Sequence, residues 1–273
     1  ERLLAFNQRY WAPIYRKKWL TLGDRNSRYF QENFKSRRSS NIIHRLSDDT
    51  GAWRYDKDFI STQLTQEFKK RFTSEISPAI STDLSFIPHI QFSDNDVLIQ
   101  NLTTDEIKTA IFQMNPYSAP GSDGFGPKFF QTYWDIIQVD LCAAINSFFS
   151  DGAMLRQLNH TLIQLIPKIN DPRSANQFRP ISFCNIFYKI IAKILANRLK
   201  PLLDKLTCPF QSAFIPNRLI YDNILIVQEI LHLFHTSKNK TGWFALQLDM
   251  EKAYDRIEWN FLWKCLAQFG FNE

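Results

Sequence analysis

The chain has 273 residues, 44% of them hydrophobic and 15% aromatic, and a formal net charge of +6. This length and apolar content suffice for one large or two small domains with a packed core. Four scattered cysteines without CxxC spacing favour a reduced intracellular compartment over a disulfide scaffold, and the sequence contains neither a secretory signal nor a charge-free apolar stretch long enough to span a membrane.

Positive charge is concentrated at the amino-terminal end. Residues 1–45 hold 11 Lys and Arg against 3 Asp and Glu, whereas the rest of the chain holds 22 against 24. Aromatic residues are interleaved with this basic block, which we predict to form one or two helices and to bind a nucleic-acid backbone. A solvated helix face with a buried apolar side is an alternative that is compatible with binding. The candidate backbone-binding residues are Arg16, Lys17, Lys18, Arg37 and Arg38.

A hairpin and a helix are predicted next. Residues 42–54 have the pattern of a hairpin with its turn at residues 48–51. An apolar stripe at helical spacing predicts a helix over residues 56–72. Residues 73–102 lack periodicity and contain two prolines, so we predict a linker there.

The segment after the linker opens with a helix-capping signal, Thr103 followed by Glu106. A glycine-rich loop at residues 118–126 then leads through Pro127 into a long aromatic helix that reaches about Phe149. The loop lacks the Lys-Ser/Thr ending of a P-loop, so we reject a phosphate-binding role for it.

Strand and helix signals alternate over the remaining residues. The predicted elements are a strand at residues 161–166, helices at 184–200 and 218–236, a buried strand at 243–250, and a last helix from Ile257 that stops near Gly270. The fold class is therefore α+β and rich in helix.

One carboxylate, Asp249, lies where the predicted strand 243–250 meets a turn. An acid in this position commonly holds a metal ion, although one acid is too few for two-metal chemistry. The alternative for Asp249 is an ordinary helix cap. The adjacent acids Asp48 and Asp49 are followed by Thr and Gly, which favours a simple turn over the missing half of a metal site.

The segment from Asp249 to Asp255 resembles the first catalytic motif of reverse transcriptases, in the form used by LINE-type (non-LTR) retrotransposons, plant ones in particular. Further segments follow the order of that family: Trp19–Asn26, Ala119–Gly124, Leu165–Lys168, Phe178–Ser182, Lys193–Leu199 and Pro209–Arg218. The resemblance covers nearly the whole chain and implies a partial right-hand polymerase, with fingers and the start of the palm behind a basic helical connector. It implies a connector at residues 1–72, a linker at 73–102, and the amino-terminal part of a reverse transcriptase domain at 103–273, truncated before the second catalytic acid motif.

The resemblance also implies a role for each candidate site residue. It implies RNA-templated DNA synthesis by two-metal nucleotidyl transfer, with two Mg²⁺ ions in the complete enzyme and Asp249 as a catalytic ligand of both. Tyr254 would be the steric gate that rejects a 2′-hydroxyl, with a packed core tyrosine as the alternative. Lys168 and Arg179 would grip the nucleotide triphosphate, with a plain surface pair as the alternative. Gln211 would support the template.

The implied partners are an RNA template, a DNA primer, dNTPs and other domains of the same polyprotein, namely an endonuclease upstream and the remaining palm and thumb downstream. The implied location is nuclear, and no membrane partner is expected. We expect the chain to be an excerpt that is inactive as a polymerase by itself. The alternative is a non-catalytic, nucleic-acid-binding retrotransposon relic. Ala213 and Asn217 stand where relatives often have glycine, which puts the template contact in question.

Overall fold

The computed structural model describes residues 42–74, 84–237, 242–250 and 253–272. The basic block, with its five candidate backbone-binding residues, lies outside the described residues. Within them the elements are β1 Leu46–Ser47, β2 Trp53–Arg54, α1 Lys57–Arg71, α2 Phe92–Leu98, α3 Thr104–Phe112, α4 Pro127–Thr132, α5 Trp134–Asp151, β3 Thr161–Pro167, β4 Phe178–Cys184, α6 Ile186–Leu199, α7 Leu203–Leu206, α8 Ile220–Thr236, α9 Ala253–Arg256 and α10 Trp259–Phe269. Helix predominates over two antiparallel strand pairs, in agreement with the helix-rich α+β prediction.

The described residues divide into two compact units. The first holds those up to Lys70 together with Leu102–Ala192, and the second holds Arg71–Asn101 and those from Lys193 onward. The division into connector, linker and polymerase segment stays a prediction. None of the helices in the described ranges is both long and apolar enough to cross a membrane.

In the first unit, the predicted hairpin and the helix that follows it are confirmed. The β1–β2 pair matches Leu46 with Arg54 and Ser47 with Trp53. Leu46 is 2% exposed and packs in one apolar cluster with Ile60 of α1 and Phe178 of β4. Residues far apart in the sequence therefore share a core at this point.

The helices α3 to α5 form the next layer of the first unit. The hydroxyl of Thr103 accepts a hydrogen bond from the Glu106 amide at 3.1 Å, as the capping signal predicts. The predicted single aromatic helix is wrong, because Tyr133 leaves helical geometry (φ −105°, ψ 21°) and separates α4 from α5. The break accompanies a contact that local pattern does not reveal: the Gln131 side chain donates to the carbonyls of Ile111 and Met114, at 3.0 Å each, and so attaches α4 to the end of α3.

The glycine-rich loop packs against the residue that precedes α6. Asn185 is 2% exposed, and its side-chain oxygen accepts from the Ser122 hydroxyl at 3.2 Å and from the Asp123 amide at 3.4 Å. Its side-chain nitrogen donates to the carbonyls of Gln157 and Leu158. Gly121 lies so close that a Cβ there would be 2.5 Å from the Asn185 backbone nitrogen. The glycine is required by this close approach, since any side chain would collide with backbone.

In the second unit, the interval predicted to be a linker contains the helix α2. Asp94 accepts from the Gln91 amide at 3.1 Å at the start of this helix. Asn95 is 4% exposed and donates to the Gly270 carbonyl at 2.7 Å. Contacts to residues distant in sequence stabilise a helix whose own periodicity is weak. The predicted helix stop is confirmed, because Gly270 is the left-handed cap of α10 with φ 84°.

The predicted buried strand at residues 243–250 is wrong. Residues 242–250 have no strand hydrogen bonds, and Phe244, Leu246 and Leu248 are each more than 70% exposed. Alternation of apolar residues is necessary for a half-buried strand, but the backbone amides and carbonyls also need an adjacent strand. Among the described residues, the only strand pairs are β1–β2 and β3–β4.

Candidate nucleotide-binding face and catalytic acid

The β3–β4 ladder positions the two candidate triphosphate-binding cations. Its antiparallel register runs from Thr161 opposite Cys184 to Pro167 opposite Phe178. Side chains alternate between the two faces of such a ladder. Phe178 is 1% exposed, so the face of the ladder that carries its side chain is the one that packs against the apolar core. The adjacent residue Arg179 is therefore on the opposite face, which is the outward one.

Lys168 and Arg179 lie on the same outward face. Arg179 is directly opposite Ile166, and Lys168 follows Ile166 by two residues. The ladder continues to this point, because the Lys168 amide donates to the Gln177 carbonyl at 2.8 Å. Diagonal neighbours across antiparallel strands are about 7–8 Å apart, and both side chains are exposed. The register thus places the two residues on the same face of the ladder, while their role in gripping a triphosphate stays a prediction.

The loop that joins the two strands is ordered by its own hydrogen bonds. We call residues 168–177 the connecting loop. The Gln177 side-chain oxygen accepts from the amides of Arg173 at 2.5 Å and Ser174 at 3.3 Å. The short 3₁₀ helix Ala175–Gln177 returns the chain to β4. Lys168 is thus the first residue of a defined loop, and Arg179 follows the last residue of that loop by two positions.

The candidate catalytic acid lies in the second unit. Asp249 is exposed in the segment 242–250, and Tyr254, in α9, is 81% exposed. Tyr254 is thus not packed into a core in this chain, and its role as a steric gate stays a prediction. Over the described part of the chain, no three His, Cys, Asp or Glu residues are grouped as metal ligands would be. A carboxylate fits a hard divalent cation chemically, so Asp249 could supply one ligand.

Gln211 lies in a loop that is organised by Arg218, a residue that sequence reasoning missed. The Arg218 guanidinium donates to the carbonyls of Cys208 at 2.6 Å and Gln211 at 2.9 Å, and to the Asp204 carboxylate at 2.6 Å. Gln211 itself is exposed, and its side chain makes a 3.4 Å hydrogen bond to the Ala213 carbonyl. An arginine carries several hydrogen-bond donors in a fixed planar arrangement. This property of the Arg218 side chain is the signal that could have indicated that it organises the loop.

The backbone of this loop accounts for one departure from the family pattern. Asn217 has φ 62°, in the left-handed region that glycine and asparagine adopt most easily. Asparagine therefore suits this backbone, as the glycine that the resemblance implies at this position also would. Ala213 is not among the described residues with positive φ, so its departure has no such explanation. Phe214 also has φ 64°, an unusual value for a bulky residue.

The acidic pair Asp48-Asp49 forms a turn, as the sequence favours. The Asp48 carboxylate accepts from the Thr50 hydroxyl at 2.6 Å and from the amides of Thr50 and Ala52 at 3.1 and 3.0 Å. These hydrogen bonds, that of the Thr50 hydroxyl foremost, hold the pKa of Asp48 below its usual value. The carboxylate is thus engaged within its own hairpin.

Comparison with known proteins supports the resemblance to reverse transcriptases. Residues 166–273 match the family described as reverse transcriptase (RNA-dependent DNA polymerase). An uncharacterized 149 kDa protein of transposon TX1 from Xenopus laevis is 29% identical over 250 residues, which cover 91% of this chain and 19% of that protein. The retrovirus-related Pol polyprotein from type-2 retrotransposable element R2DM of Drosophila melanogaster is 27% identical over 153 residues, which cover 56% of this chain and 14% of that protein.

The chain spans less than a fifth of the length of each of these relatives. The special likeness to plant elements stays a prediction. The family match and both relatives agree in indicating a reverse transcriptase of a transposable element. The chain therefore matches a reverse transcriptase domain at residues 166–273 and is related to the proteins of LINE-type (non-LTR) retrotransposons.

Proposed function

We propose that the chain supplies the fingers and the first catalytic acid of an RNA-directed DNA polymerase that copies retrotransposon RNA. The observation that carries the proposal is the common outward face of Lys168 and Arg179, inside the segment that matches the reverse transcriptase family. A pair of cations on one face of a paired ladder suits the negative charge of a triphosphate. The two relatives, a transposon protein and a Pol polyprotein, support the same assignment.

Each residue has a distinct role in this proposal. Lys168 contributes a compact positive charge, and Arg179 contributes fixed donors that hold the phosphate oxygens. Asp249 holds divalent metal ions, which we propose to be Mg²⁺, and these ions would neutralise the triphosphate and lower the pKa of the primer hydroxyl. Tyr254 excludes a 2′-hydroxyl from the sugar position, and Gln211 contacts the template.

The proposal extends to the surroundings of the site. We assign residues 1–72 to a basic connector, with residues 73–102 as its junction to the polymerase segment. Arg16, Lys17, Lys18, Arg37 and Arg38 would bind phosphates of the template or primer. An upstream endonuclease, a downstream palm and thumb, and a nuclear location complete the proposal.

A nucleotide-binding titration tests the central claim. A fluorescent deoxynucleoside triphosphate is titrated onto the chain with Mg²⁺, and we expect Lys168→Ala and Arg179→Ala each to weaken binding about tenfold, because each removes a charge-assisted contact. Exposed cations of the same unit serve as matched controls: Lys128→Ala and Arg156→Ala should bind as tightly as the parent. Equal affinity of all four variants would refute the assignment of the face.

Polymerase activity provides a second test. We expect the 273-residue polypeptide to show no primer extension by itself, because two-metal chemistry needs more carboxylates than Asp249 and no adjacent acidic pair follows it in the sequence. DNA synthesis by this polypeptide that disappears in Asp249→Ala would contradict that expectation.

A non-catalytic, nucleic-acid-binding relic is the second candidate function, favoured by the basic block at residues 1–45. It predicts RNA or DNA binding that weakens steeply with salt and falls when the five basic residues of the connector are neutralised. This candidate also requires that Lys168→Ala leave nucleotide binding unchanged, which separates it from the polymerase proposal.

A further inference from the structure

The connecting loop of the nucleotide-binding face is attached to the β1–β2 hairpin. The Ser47 amide donates to the Arg173 carbonyl at 2.8 Å. The Arg45 guanidinium donates to the Asp171 carboxylate at 3.2 Å, an ion pair between residues 126 positions apart. The hairpin lies outside the segment 166–273 that matches the reverse transcriptase family, yet it contacts the connecting loop, which lies within that segment.

Trp53 of the hairpin is the common contact of two arginines. The guanidinium carbon of Arg45 lies 4.2 Å from the centroid of the Trp53 ring, and that of Arg173 lies 5.4 Å from it. Both distances are within the range in which a cation is attracted to an indole. Since Arg45 comes from the hairpin and Arg173 from the connecting loop, the ring links two distant parts of the chain.

The hairpin also contacts the strand at the far end of the loop. Leu46 of β1 packs with Phe178, the first residue of β4, and both are almost fully buried. Lys168 begins the connecting loop, and Arg179 directly follows Phe178. The hairpin therefore holds the loop between the two cations as well as the start of the strand that presents one of them.

We propose that Trp53 and Arg45 are positioning residues for the triphosphate-binding cations Lys168 and Arg179. The inference rests on the proposed nucleotide-binding function. Lys168 is both the end of the ladder and the first residue of the connecting loop, so opening of an unattached loop would change its separation from Arg179. Attachment to the hairpin holds that separation before the ligand arrives, which reduces the ordering cost of binding.

Hydrogen exchange in the chain alone tests the attachment without any need for catalysis. In Trp53→Ala, amides of the connecting loop should exchange about tenfold faster, whereas Trp53→Phe, which keeps a ring under the guanidinium groups, should stay close to the parent. Trp259→Ala is the matched control, since Trp259 is exposed and belongs to the second unit. Arg45→Gln provides a milder variant and should also speed exchange. Unchanged exchange in both Trp53→Ala and Arg45→Gln would overturn the inference.

A double-mutant cycle tests whether Trp53 acts through the cations. With a fluorescent deoxynucleoside triphosphate as the probe, Trp53→Ala should weaken binding about fivefold in the parent chain and by a smaller factor in Lys168→Ala, where only Arg179 is left to be positioned. An additive loss would overturn the positioning role, because it would mean that the Trp53 cluster binds the nucleotide by itself. If Lys168→Ala does not weaken binding, the proposed function fails. The hydrogen-exchange result then still decides whether the hairpin holds the loop.

Discussion

The contact between Gly121 and Asn185 leads to a sharp prediction about stability. In Gly121→Ala, the new Cβ would lie 2.2 Å from the Asn185 Oδ1 atom, 2.5 Å from its backbone nitrogen and 2.6 Å from its Cα. Favourable contacts between carbon atoms are about 3.5–4.0 Å, so the two segments must separate by about 1 Å. A side-chain rotation cannot relieve the collision, because two of the three atoms are backbone.

The expected magnitude follows from two effects. Overpacking against a rigid neighbour costs about 1–3 kcal/mol. Displacement of Asn185 also weakens its four side-chain hydrogen bonds, to Ser122, Asp123, Gln157 and Leu158, and each such bond contributes about 1 kcal/mol. Replacing glycine by alanine also reduces the conformational freedom of the unfolded chain, which offsets about 0.4–1 kcal/mol of this loss of stability. We therefore expect the free energy of unfolding to fall by about 3 kcal/mol.

Urea denaturation followed by circular dichroism measures the effect. With a dependence on urea of about 3 kcal/mol per molar, the midpoint should fall by about 1 M. Gly126→Ala is the matched control from the same loop, because its nearest neighbour, the Ser118 carbonyl, would be at an ordinary 3.5 Å and its φ is −95°. This control should stay within about 1 kcal/mol of the parent. Equal midpoints for the two variants would refute the packing argument.

Four further predictions concern the second unit. Arg218→Ala should raise chymotrypsin cleavage of the Gln211 loop about tenfold, and Arg218→Lys should not restore resistance, because a lysine cannot reproduce donation to three acceptors. The Gln91 amide, and after it Lys205, lowers the pKa of Asp94 from 3.8. The ionised Asp94 contributes its full stabilisation when the pH is above the ordinary pKa of 3.8, and this contribution is lost as pH falls through the lowered pKa of the folded chain. Urea midpoints should consequently drop more between about pH 5 and about pH 2 in the parent than in Asp94→Asn. In a polypeptide that adds the second acid motif, Asp249→Ala should reduce primer extension at least about a thousandfold; a loss below about tenfold would contradict its metal-binding role. In the same assay, Tyr254→Val should raise ribonucleotide incorporation relative to deoxynucleotide incorporation at least about tenfold, and an unchanged ratio would exclude the steric gate.

Local pattern predicted most helices well, for a physical reason. The predicted helices at residues 56–72, 184–200 and 218–236 were observed at Lys57–Arg71, Ile186–Leu199 and Ile220–Thr236. Each of these helices has an apolar stripe whose spacing follows from the helical repeat. The backbone hydrogen bonds of each helix are also made within its own segment. Such elements can be predicted from neighbouring residues alone.

Elements that depend on distant partners could not be predicted in the same way. The alternation at residues 243–250 predicted a strand, but a strand is stable only with a neighbour. The helix α2 was missed because contacts such as that of Asn95 to the Gly270 carbonyl, 175 positions away, stabilise it. The break at Tyr133 was missed for a related reason, since the nearby Gln131 contacts the end of another helix.

By itself, the sequence determined the helix-rich class, the order of the family motifs and the identity of the candidate residues, because these depend on residue type and short spacing. Only the tertiary structure decided that Lys168 and Arg179 share an outward face, that Arg218 organises the Gln211 loop, and that Trp53 links the hairpin to the connecting loop. These features depend on strand register and on contacts between distant segments. Register and distant contacts result from the packing of the whole unit, which no local stretch of sequence specifies.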